Sequence, residues 1–165
     1  MVFSELNLKT ELKKCIEQAN YFTLTKIQEK LIPLIINNKD VVAKAPTGTG
    51  KTASFVIPII NEISLNKTLQ TVVLVPTREL CVQITNEFRR LSKGLNKLFI
   101  ASIYGGQKSS IQLKLLHASP QIIVATPGRL IDFMENNHIH IKNIKTLVID
   151  EVDQMFNLGF SKDVE

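Results

Sequence analysis

Five short runs of Val, Ile and Leu limit what this chain can fold into: residues 41–45, 71–75, 98–103, 121–125 and 146–149. Most are nearly continuous rather than alternating, which is the pattern of strands covered on both faces. Between them lie stretches with apolar residues at three- and four-residue spacing. The clearest is 77–92, with Leu80, Ile84, Phe88 and Leu91 on one stripe. Strand alternating with helix predicts a parallel α/β sheet, and two more helices, over 8–19 and 25–36, precede the first run. A length of 165 residues suits one domain with a real core.

The bulk numbers exclude some classes. No apolar run approaches the ~20 residues of a membrane helix. The first twelve residues are too polar for a signal peptide, so the expected compartment is the cytoplasm. Cys15 and Cys81 lie far apart and outside any Cys-x-x-Cys pattern, and are expected to be reduced and structural. His138 and His140 lack partners at metal-ligand spacing. The net charge of +5, from 20 basic and 15 acidic residues, permits a polyanionic partner without demanding one.

In an open α/β sheet, ligands bind beyond the carboxyl ends of the strands, so the residues just after each run carry the information. The first run leads into Ala45-Pro46-Thr47-Gly48-Thr49-Gly50-Lys51-Thr52, a phosphate loop with Ala in the place of the usual first Gly. Gly48 and Gly50 let backbone N–H groups turn inward around phosphate oxygens. Lys51 supplies a charge to the terminal phosphates, Thr52 offers a hydroxyl to Mg²⁺, and the following helix points its positive end at the site. The last run ends in Asp150-Glu151. Asp150 has a place as a Mg²⁺ ligand and Glu151 as the group that positions or activates water, so hydrolysis of a triphosphate is expected.

These motifs resemble those of the DEAD-box ATP-dependent RNA helicases. The acidic motif reads Asp150-Glu151-Val152-Asp153, with Val where the family has Ala, and runs on to Gly159-Phe160. The Ala45 that departs from the generic phosphate loop is the family's own. Pro76-Thr77-Arg78-Glu79-Leu80, Gly105-Gly106 and Thr126-Pro127-Gly128-Arg129 follow the second, third and fourth runs and resemble its RNA-contacting motifs. Each makes sense against a nucleic-acid backbone: hydroxyls and Pro127 at helix starts, Arg78 and Arg129 for phosphate, paired glycines for close approach. Phe3 and Gln28 resemble the family's adenine-recognition segment, with Asn20-Tyr21 and Leu24-Thr25 where it has Gly-Phe and Pro-Thr. Residues 103–107 look more like the bacterial members than the translation-factor members.

The resemblance implies an adenine-recognition segment over 1–36 and a RecA-like ATP-binding domain over 37–165. The implied fold is a P-loop NTPase RecA-like parallel sheet with flanking helices, incomplete at the C-terminus. The family's Ser-Ala-Thr strand, expected between the phosphate-loop and acidic strands, and its second RecA-like domain do not occur in these 165 residues. The implied cofactors are ATP and Mg²⁺, and the implied partner is RNA, gripped by its backbone irrespective of sequence. On its own this stretch is expected to show little RNA-stimulated ATPase and no unwinding. A DNA-directed motor, and a non-catalytic module that keeps nucleotide or RNA contacts, stay open as alternatives.

Overall fold

The computed structural model describes residues 2–164. They form two compact units. One contains the described residues up to Ile63 together with Glu87–Lys97; the other contains Ser64–Asn86 and the described residues from Leu98 onward.

The first unit is helical. A 3-10 turn (Phe3–Glu5) leads into α1 (Thr10–Gln18), α2 (Lys26–Ile36) and α3 (Lys51–Glu62). Thr25 and Gln28 form a capping box at the start of α2, each satisfying a backbone N–H of the other. Every residue of α3 from Ala53 to Asn61 is buried, the signature of a helix covered all round. α3 packs on α2 and α1. The Lys9 N–H donates to Asn61 Oδ1 at 2.8 Å, fixing the entry of α1 against the end of α3.

The second unit carries the sheet: β1 (Thr71–Leu74), β2 (Ile100–Ile103), β3 (Ile122–Ala125) and β4 (Thr146–Ile149), all parallel, in the order β2-β3-β1-β4. The two inner strands, β1 and β3, are buried at every position. Helices α4 (Arg78–Leu91), α5 (Ser109–His117), α6 (Pro127–Glu135), α7 (Val152–Asn157) and α8 (Ser161–Val164) follow in the chain, α4 contributing residues to both units. Val72, Leu74, Ile103, Ile123, Phe133 and Met155 form the centre of the core.

Four of the five expected strands are present, each trimmed by no more than two residues. The fifth is not. Residues 41–45 carry no strand, and Val42 is fully exposed. The reason is pairing: a run becomes a strand only when a neighbour takes up its N–H and C=O groups, and no described segment pairs with this one. β4 shows the same shortage on one side. It pairs with β1 alone, and Leu147 stays exposed. Among the described residues no helix is long and apolar enough to cross a membrane.

Both cysteines are free and buried. On α4 the Cys81 thiol donates to the Val124 carbonyl oxygen at 3.1 Å, and burial pushes its pKa up to about 12. A raised thiol pKa favours the folded state while the thiol stays protonated. The contribution is complete below the ordinary thiol pKa and is lost as pH rises toward about 12. Unfolding free energy should therefore fall between pH 9 and 12, by at most about 1.4 kcal/mol per pH unit from this group. Urea titrations across that range should show Cys81→Ala lacking this component of the slope, although the variant is less stable throughout.

Candidate functional site

In the helical unit, the phosphate-loop sequence runs into α3. Gly48 and Gly50 take φ of 78° and 87°, left-handed values that side chains resist, and Gly50 is the N-cap of the helix. The turn is closed by the Thr49 hydroxyl donating to the Pro46 carbonyl at 2.8 Å. Lys51 and Thr52 open α3, where the positive end of the helix favours an anion. Beside the loop lies a cavity of about 420 Å³ lined by Thr25, Lys26, Ile27, Lys30, Lys44, Ala45, Pro46 and Thr49. Ala45, Pro46 and Ile27 give it apolar surface, and three lysines give it positive charge.

Gln28 joins the two halves of this unit's site. It is only 1% exposed; its amide oxygen accepts from the Thr25 N–H at 2.9 Å and its amide nitrogen donates to the Gly50 carbonyl at 3.2 Å. Both polar atoms of the amide are thus engaged within the unit, and Gln28 stands behind the cavity wall, not among its lining residues. Phe3 lies in the 3-10 turn, buried, its ring edge-on to Tyr21 at 5.8 Å. It does not line the cavity. Tyr21 is held in turn by the end of α4: its hydroxyl donates to Glu87 at 3.0 Å, and the Arg90 guanidinium lies 5.0 Å from its ring centre. Burial first, then the Glu87 carboxylate, raise the phenol above its ordinary pKa. The Glu87 hydrogen bond raises that of Arg90 as well. This cluster has no local signature, since Tyr21 and Glu87 stand 66 positions apart.

In the sheet unit, each motif leaves the carboxyl end of its own strand. After β1, Pro76 is buried, the Thr77 hydroxyl caps α4 by accepting from the Leu80 N–H at 3.2 Å, and Arg78 is exposed. After β2, the turn through Gly105 and Gly106 is open: a side chain added at either would meet no atom within 4 Å. After β3, Thr126 is the N-cap of α6 and Pro127 fills its first position. Gly128 is exposed. Arg129 reaches back to the loop after β2, donating to the Gln107 carbonyl at 3.3 Å and the Ser109 hydroxyl at 3.1 Å. The Arg78 guanidinium lies 5.2 Å from the centre of the Tyr104 ring. After β4, Asp150 is buried and accepts from the Glu151 N–H at 3.0 Å. Glu151 itself has φ 53° and ψ 49°, a left-handed conformation rare for a side chain this long and of a kind that concentrates at functional positions.

Three of these segments thus leave neighbouring strands at one end of the sheet, with the acidic pair at the end of the fourth. The sequence profile of the DEAD/DEAH box helicase family matches residues 25–165. This chain belongs to that family. It is 42% identical over 99% of its length to the DEAD-box ATP-dependent RNA helicase RhpA of Helicobacter pylori, and 42% identical over 99% to CshA of Geobacillus kaustophilus. It spans 33% and 35% of those two proteins, about a third of each. A crystal structure of a DEAD box protein from the hyperthermophile Methanococcus jannaschii matches 99% of the chain with a TM-score of 0.95 at 43% identity, and the match covers 45% of that chain. The RecA-like α/β fold expected from the motifs is therefore the fold of this chain.

Proposed function

We propose that this chain is the ATP-binding and RNA-backbone-binding first RecA-like domain of a cytoplasmic RNA helicase, with the adenine-recognition segment over 1–36 and the ATP-binding domain over 37–165. The observation that carries the reading is the gathering of Pro76–Thr77–Arg78, Gly105–Gly106 and Thr126–Pro127–Gly128–Arg129 on the ends of three adjacent parallel strands. Two arginines, two helix starts and a bare glycine turn suit a chain of phosphates, and none of them forms a base-reading surface.

The residues of the phosphate loop fit a nucleoside triphosphate. The left-handed glycines and the start of α3 suit phosphate oxygens, the adjoining cavity suits adenine, and Gln28 ties the start of α2 to Gly50 behind it. Phe3, packed edge-on against Tyr21, does not itself line that cavity. The resemblance assigns Mg²⁺ contacts to the Thr52 hydroxyl and to the Asp150 carboxylate, each of which has the oxygen donor such an ion takes. When bound, it would neutralise charge developing on the phosphates. Lys51 holds the terminal phosphates, and Glu151 orients the attacking water and takes its proton. The resemblance assigns the arginine that completes hydrolysis to a second RecA-like domain.

The RNA part is tested by titrating this chain with single-stranded oligonucleotides of unlike sequence at several salt concentrations. Affinity should be independent of base sequence and fall with salt, and Arg129→Ala should flatten the slope of log K against log salt by about 0.7, the value for one phosphate on a single strand. Strong base preference, or an unchanged slope in the variant, would count against it. DNA binding equal to RNA binding would favour a DNA-directed motor instead.

A further inference from the structure

The sequence motifs do not include Gln112, yet it is fully buried in the middle of α5. A buried amide must have its hydrogen bonds met, and both ends of this one go to a single residue. Gln112 Oε1 accepts from the Tyr104 N–H at 3.2 Å, and Gln112 Nε2 donates to the Tyr104 carbonyl at 2.8 Å. This is what a neighbouring strand would do for Tyr104. β2 ends at Ile103, so the side chain of Gln112 extends the ladder by one residue, to the brink of the Gly105–Gly106 turn.

Tyr104 is also the residue on which Arg78 rests. Arg78 follows β1 and Tyr104 follows β2, and β3 lies between those strands, so the two meet across the end of a third. From that third strand, Arg129 reaches the same loop. The backbone of Tyr104 is therefore the common support of the paired glycines and of one of the two arginines. We propose that Gln112 is a positioning residue for RNA-backbone binding: it fixes Tyr104, and through the Tyr104 ring it holds Arg78 where a phosphate can take it. The inference rests on the RNA-binding reading above.

The test measures binding of a fluorescein-labelled twelve-nucleotide oligouridylate by this chain, with binding of a fluorescent ATP analogue as a second readout. Gln112→Met keeps the volume and removes both bonds. It should weaken RNA binding about tenfold and flatten the salt slope by about 0.7, as Arg78→Ala should, with nucleotide affinity unchanged. The double variant should bind RNA no more weakly than Arg78→Ala alone, since both changes remove one contact. Burial at this position favours the neutral carboxyl of Gln112→Glu, which donates as well as accepts, so lowering the pH from 7 to 5.5 should bring that variant toward the wild-type slope. If Arg78→Ala weakens RNA binding while Gln112→Met leaves affinity and slope intact, the positioning role is wrong and the RNA-binding reading survives. If Arg78→Ala has no effect in a chain that binds RNA, the positioning role falls alone; if the wild-type chain binds no RNA, both fall. Parallel loss of RNA and nucleotide affinity in Gln112→Met, without rescue by Gln112→Glu, would make the residue merely structural and overturn the proposal.

Discussion

Replacing Gly50 with alanine should lower the stability of the chain by about 2–3 kcal/mol and abolish tight nucleotide binding. Two costs combine. At φ 87° a Cβ carries the left-handed penalty of about 1–2 kcal/mol, and here it would stand 2.5 Å from Gln28 Nε2. Something must move, and the Gln28–Gly50 bond is the first to break, worth about 1 kcal/mol. For a chain of this size the loss corresponds to a fall in melting temperature of roughly 5–10 °C. Gly48 is the internal control. It has a similar φ of 78° but nothing within 4 Å of an added Cβ, so Gly48→Ala should show the backbone penalty alone. Adding Gln28→Ala to Gly50→Ala removes the atom in the way, so the double variant should be more stable than the sum of the single effects implies. Additive costs in thermal melts would mean that the amide is not what crowds Gly50.

Lys51→Ala should act unequally on the two properties. A cation in the first turn of a helix opposes the macrodipole by about 0.3–1 kcal/mol, and relief of that cost offsets the contact the side chain gives up within the protein. A charged hydrogen bond to phosphate is worth about 1.5–3 kcal/mol, so affinity for a triphosphate should drop by roughly 10- to 100-fold. Calorimetric titration with ATP, set beside a thermal melt of the ligand-free variant, separates the two. Undiminished ATP affinity would remove Lys51 from the phosphate site.

The fold and the site were legible in the sequence to different depths. β1 and β3 could be read because burial on both faces leaves nothing but apolar residues along them. The same reasoning misled at residues 41–45, where an equally apolar run has no neighbour to pair with. Composition records what a segment can bury, and pairing depends on the rest of the chain. The phosphate loop, the acidic pair and the three segments after β1, β2 and β3 were legible as motifs because each is contiguous, and all but the loop sit at a strand end. Gln112 was not, because a single glutamine in a helix leaves no pattern when its partner is the backbone eight positions back. Thr25-x-x-Gln28 was an available signal of another kind: the spacing of a capping box could have shown that Gln28 shapes the start of α2.

Because all four strands run the same way, every motif of the sheet unit leaves the sheet at one rim, and the opposite rim is left to plain connections. The turn between α6 and β4 is one of these. Residues 140–143 within it are exposed, and none belongs to a motif. A dye or affinity tag attached there would follow the molecule without crowding the residues it is meant to report on.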